Sequence, residues 1–120
     1  MNILSDVNLD EISFGKDGKS VELRFIDMMH GKSTGTLTCS LLYSFKYQNC
    51  FEEDDSLAAY IGEVNYEKIS SVEQLNGLGY NFPDNEKVAQ DGALLINIEG
   101  GEVVLEIICG AAELDDTEID

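Results

Sequence analysis

The chain has 120 residues, 43% of them hydrophobic, which is enough for one domain with one core, residues 1–120, and too few for two. Its 24 acidic residues against 7 basic ones leave a net charge of −17, which excludes a surface built for nucleic acid or for an anionic membrane, since both are polyanions. No run of about 18 apolar residues is present to span a bilayer.

The N-terminal MNILSDVNLDE lacks the basic start and apolar core of a secretory signal, so the mature protein is expected to be the whole chain. The first patterned unit is LDEISFGKDGKSVELRFID, residues 9–27, in which Asp17-Gly18 is a strong hairpin signal. Closing a two-residue turn there opposes Phe14 to Val21 and Ile12 to Leu23 on one face. On the other face Glu11 meets Arg24 and Ser13 meets Glu22. One register therefore satisfies both the pleat and a cross-strand ion pair.

The segment MMHGKSTG, residues 28–35, contains GKST, the tail of the phosphate-binding loop signature. Ile26 stands where that signature needs a glycine, and TLTCSLLYSFKY follows where it needs a helix. The stretch reads as a strand connection in which Gly31 and Gly35 allow the reversal and Lys32 is exposed. Beyond it Leu37, Cys39, Leu41, Tyr43, Phe45 and Tyr47 alternate with polar residues and Leu42, the pattern of a half-buried strand. The run EEDD, Glu52 to Asp55, is a solvated loop. Residues 57–69 have a β-rich centre with Tyr60, Gly62, Val64 and Tyr66 on one side, and Gly62 marks a bulge or a close backbone approach.

A short helix is predicted near residues 71–76, capped by Ser70 or Ser71 with Glu73 or Gln74 three residues on, and ended by Gly77. Residues 79–92, with the single proline, read as an irregular loop. ALLINIEGGEVVLEIICGAAEL then forms two strands about Gly100-Gly101, opposing Ile98 to Val103, Ile96 to Leu105 and Leu94 to Ile107, with Glu99 opposite Glu102. The C-terminus extends a strand through Leu114 at most and is expected to be loosely held. The fold class is mainly β: about six antiparallel strands forming a small sandwich or open barrel, with one short helix.

Candidates for chemistry are few. A nucleophile activated by histidine requires His30, the single histidine, which sits in a loop without a rigid frame. Carboxylates that fall close, such as Glu99 with Glu102 or Glu63 with Glu67, are solvated and lack the apolar pocket that would separate their pKa values. No calcium-loop spacing occurs. The three cysteines have no C-x-x-C spacing, so neither a disulfide framework nor a zinc site is implied. Cys39 and Cys109 read as small core residues and Cys50 as the more exposed thiol. The expectation is no catalysis, no cofactor, no metal and a reducing, cytoplasmic setting.

What remains is an acidic, aromatic patch: Glu52, Glu53, Asp54, Asp55, Tyr60, Glu63, Tyr66 and Glu67. In size, acidity and lack of catalytic residues the chain resembles the small immunity proteins with which bacteria neutralise their own toxins, of the contact-dependent-inhibition or polymorphic-toxin type. The resemblance is one of overall character, without a shared motif. It implies a protein-binding module whose partner is a basic toxin or nuclease domain, with no nucleic acid or membrane bound, acting as a monomer or weak homodimer. Two other readings are a small barrel holding a hydrophobic ligand, which the bulky inward residues disfavour, and an accessory subunit of a larger assembly.

Overall fold

The computed structural model describes residues 2–27, 29–49, 59–101 and 103–119. Seven strands and two short helices run in the order β1 (Asn2–Phe14), β2 (Ser20–Asp27), β3 (Lys32–Asn49), β4 (Ala59–Ile69), α1 (Val72–Gly77), α2 (Asn85–Asp91), β5 (Ala93–Glu99), β6 (Val103–Leu114) and β7 (Thr117–Glu118). The strands form one antiparallel sheet in the order β3-β2-β1-β4-β5-β6-β7, and a further pairing of β3 with β6 closes it into a ring. Closure removes much of the edge that an open sheet must protect. The inward side chains, among them Leu23, Phe25, Leu37, Ile61, Ile96 and Leu105, fill the interior at 0% exposure. Burying each contributes roughly 1.5–3 kcal/mol.

The β1–β2 hairpin has the predicted register, with Phe14 opposite Val21, Ile12 opposite Leu23, Ser13 opposite Glu22 and Glu11 opposite Arg24. Its loop is longer than two residues, since the Gly15 N–H donates to the Ser20 carbonyl and Gly18 closes the turn onto Gly15. A bulge between Leu9 and Glu11 inserts Asp10, so Arg24 binds two carboxylates, Asp10 at 2.6 Å and Glu11 at 3.0 Å. Gly31, at φ 65°, makes the β2–β3 reversal. Gly35 does not share in it; it is a buried residue of β3 opposite Phe25. Strand β3 begins at Lys32, inside GKST, so no helix N-terminus faces a phosphate there.

Three expectations are corrected. Along β3 the alternation breaks at Leu41, which takes φ 53° and is exposed. Leu42 and Phe45 then pack on the barrel core, whereas Tyr43 turns to the outer face. Gly110 on β6 makes the break possible, because a Cβ there would lie 2.8 Å from the Leu41 Cβ. Second, the β5–β6 pairs are Ile98–Leu105, Ile96–Ile107 and Leu94–Cys109, and Glu99 faces Val104. The partner shift is two residues, so every side chain keeps its face. Third, the C-terminus is held. Asp115 and Asp116 both adopt positive φ, the geometry suited to a two-residue hairpin turn. Asp115 exchanges two 3.0 Å hydrogen bonds with the Thr36 backbone, and Ile119 packs on the core.

A second core lies outside the barrel. Helix α1 begins with the predicted capping box: the Ser71 hydroxyl accepts from the Gln74 N–H, and the Gln74 side chain accepts from the Ser71 N–H at 3.1 Å. Its last helical residue is Gly77, as expected; the chain then turns away at Gly79, φ 82°, and the Tyr80 N–H reaches back to the Leu75 carbonyl at 3.0 Å. Residues 85–91, expected as loop, form α2. Together the helices cover Ile69, Leu95 and Ile108 with Leu75, Tyr80, Val88 and Ala89. Asn85, buried at their junction, donates to the Asn76 side chain at 3.0 Å and the Tyr80 carbonyl at 2.6 Å, and accepts from the Phe82 N–H at 3.0 Å.

Candidate functional site

The helices cover the outer barrel wall over Ile69, Leu95 and Ile108; toward the other end of β4 and β5, next to β1, the wall carries exposed acidic side chains. There the register places Ser5 opposite Glu63 and Glu63 opposite Glu99. Both glutamates are exposed. Like charges directly across a strand pair oppose folding, by roughly the 0.2–1 kcal/mol that an opposite pair would contribute.

Asp6 lies beside this row. It takes φ 53° and stands across from Gly62, between the pairs Ser5–Glu63 and Val7–Ile61. The Tyr60 hydroxyl donates to the Asp6 carboxylate. The tyrosine ring lies alongside Gly62, where a Cβ would stand at an ordinary contact distance of 3.8 Å from the Tyr60 Cε2. The Asp6 hydrogen bond, with some desolvation and the carboxylate charge, raises the Tyr60 pKa above its ordinary 10.0. The phenol therefore stays neutral and presents a half-exposed ring (50%) amid carboxylates.

Of the residues expected in the patch, Tyr60 and Glu63 lie together on this wall, and Glu67 is exposed further along β4, opposite Leu95. Tyr66 is separated from them because its side chain packs on the barrel core. Tyr60 and Tyr66 were expected on one side of the strand, but both Ile61 and Val64 are buried, so the strand changes parity between them. Glu52, Glu53, Asp54 and Asp55 lie outside the described residues, as does Cys50. Asp6 and Glu99 were missing from the expected patch. Glu99 was legible as an acidic strand end, but its partner was assigned as Glu102, which also lies outside the described residues.

His30 does have an acidic partner: its Nδ1 lies 2.9 Å from Asp27 Oδ2. Asp27 also accepts from the Met29 N–H, and the two bonds, the histidine's foremost, hold its carboxyl below the ordinary 3.8. The dyad is exposed in the β2–β3 turn. Cys39 and Cys109 are buried as expected; a hydrogen bond between them and burial push the Cys39 thiol far up, which keeps it protonated. Among the described residues, no three His, Cys, Asp or Glu side chains are grouped to hold a metal ion. No helix there is long and apolar enough to cross a membrane.

Fold and site define a class: a small closed antiparallel barrel with a helical pair on one side and an acidic wall on another. Residues 2–116 match a family model described only as "-like:-like", and the chain belongs to that family. No curated protein matches the chain. Among solved structures it is similar to the crystal structure of an uncharacterized protein from Neisseria gonorrhoeae, with 23% identity and a TM-score of 0.65 over 96% of this chain and 95% of that one. That similarity is one of fold.

Proposed function

We propose that this chain is a non-catalytic protein-binding module, an immunity protein that neutralises a basic toxin domain, such as a nuclease, in the bacterial cytoplasm. The observation that carries the reading is the pairing of Glu63 with Glu99 beside Asp6. A register that keeps carboxylates opposed lowers the stability of the free protein, and a cationic partner removes that repulsion when it binds. The net charge of −17 adds long-range steering toward such a partner. Nuclease surfaces are basic because they hold phosphate, so a carboxylate-rich wall can occupy one in its place. The filled barrel interior favours this reading over a ligand carried inside the barrel.

The test is co-expression with the product of the adjacent gene. A complex is expected, with relief of toxicity and an association rate that falls as salt rises. Replacing Glu63 and Glu99 together by lysine is expected to slow association at least about tenfold at low salt. Absence of a complex, or association indifferent to salt and to both charge reversals, overturns the proposal.

A further inference from the structure

Strands β5 and β7 both pair with β6 and leave a gap between them. Strand β5 reaches β6 as far as Leu94 opposite Cys109, and β7 meets it from Glu118 opposite Glu113, with the Ile119 N–H donating to the Ala112 carbonyl at 2.9 Å. On that side Gly110 and Ala111 have no strand beside them among the described residues. A cavity of about 340 Å³ lies there, within the size of small-molecule pockets. Ile69, Leu94 and Ile119 give it apolar walls, and Lys68, Asp91 and Glu118 line it with charge. A second recess, lined by Ile3, Tyr66 and Leu114, shares Glu118 and Ile119 with it. The register shows how the lysine comes there. Val64, Tyr66 and Lys68 stand opposite Ile98, Ile96 and Leu94, which all lie in the barrel core. Inward rows of a small barrel are filled by packing side chains, and this one ends in a cation. The ion pairs among the described residues belong to Arg24, His30 and Lys46. Lys68, Asp91 and Glu118 therefore line one cavity without pairing with one another.

We infer that this cavity binds a small zwitterion with an apolar body, an amino acid or a dipeptide, its carboxylate held by Lys68 and its ammonium by Asp91 and Glu118. Charge selects this class over the others. A simple anion is repelled by a domain of net charge −17. A simple cation sets its charge beside Lys68, and a purely apolar molecule takes water from three charged groups and returns no partner to them. A zwitterion gives both signs a charge-assisted hydrogen bond, while its apolar part covers Ile69, Leu94 and Ile119. The cavity sits where Ile69 pairs with Ala93, at the opposite end of the β4–β5 ladder from Glu63 and Glu99. The inference therefore stands apart from the proposed function, and either can fail without the other.

Titrating the full chain with L-leucine and with glycyl-leucine, followed by amide NMR shifts, tests it. Saturable shifts centred on Gly92, Gly110, Ala111 and Ile119 are expected below about 10 mM for at least one of the two, and the tighter binder distinguishes a free amino acid from a peptide. Blocking that ligand by acetylation of its ammonium, or by amidation of its carboxylate, should weaken binding at least about tenfold in each case. Lys68→Met should erase the preference for the free carboxylate over the amide. Asp91→Asn with Glu118→Gln should erase the preference for the free ammonium, whereas Lys32→Met, at the remote start of β3, leaves both preferences unchanged. The blocked ligands give their reading on the unaltered protein, so a variant that fails to fold does not decide the matter. No saturable shift, shifts centred elsewhere, or blocked ligands that bind as well as the free zwitterion overturn the inference.

Discussion

Gly100 at the end of β5 lies so close to Tyr60 on β4 that a Cβ on the glycine would run into the Tyr60 carbonyl oxygen and stand 3.3 Å from the Ile61 Cα. The neighbouring Gly101 meets nothing. This fits the shifted β5–β6 register: Gly100, directly after β5, lies against the β4 backbone while its N–H donates to the Val103 carbonyl at 2.8 Å. The turn therefore falls one residue later than a Gly-Gly reading puts it. Gly100→Ala is expected to cost roughly 1–3 kcal/mol, as overpacking does. Gly101→Ala should change stability by less than about 0.5 kcal/mol. Urea midpoints of the two variants decide it, and equal effects would sink the assignment.

Leu41 and Gly110 form a second interlocked pair. A left-handed leucine carries strain on the order of 1–2 kcal/mol, and its side chain fills the space that any Cβ at position 110 would need. Gly110→Ala alone should destabilise by roughly 1–3 kcal/mol. Leu41→Gly relieves the strain and vacates the space, so the double variant should recover at least about 1 kcal/mol relative to additivity. Strict additivity in the cycle would show that the two residues do not contend for the same volume.

Asn85 ties the two helices to the loop between them with three side-chain hydrogen bonds. Asn85→Leu leaves the Phe82 N–H and the Tyr80 carbonyl without their partner, so a loss of about 2–4 kcal/mol is expected. Thermal unfolding should record it, together with faster hydrogen exchange confined to residues 72–91. Unchanged exchange in those residues would contradict the role given to Asn85.

The Tyr60–Asp6 bond gives a pH signature. Ionising the phenol loses the bond and sets two anions together, so the folded-state pKa is raised above 10.0. The sign follows from that: the stabilisation is fully present below the ordinary pKa and is lost as pH climbs through the raised one. Tyr43 and Tyr80, first by desolvation and then by nearby Asp91 and Asp84 respectively, also titrate high. Phenolate absorbance should therefore show three late protons, and Tyr60→Phe should remove one of them. In Asp6→Asn the Tyr60 proton should leave earlier, and a titration identical to that of the unaltered protein would refute the bond's role.

Much of the barrel was legible along the chain because its signals are local. Asp17-Gly18 with flanking alternation determined the first hairpin's register, and Ser71 with Gln74 determined the start of α1. The second hairpin's faces were also readable, since a two-residue slip preserves them. Helix α2 was not: seven residues with Val88 and Ala89 as its buried apolar pair give too short a period, and Asn85 holds the segment through partners at 76, 80 and 82.

By itself the sequence determined an all-antiparallel β domain, its apolar faces and its negative charge, each a property of residue type and two-residue spacing. The tertiary structure alone decided that the sheet closes through β3 and β6, that Leu41 breaks the pleat over Gly110, and that Glu63 stands beside Glu99 and near Asp6. Those facts rest on contacts between segments dozens of residues apart, and such pairings depend on which backbones can approach one another.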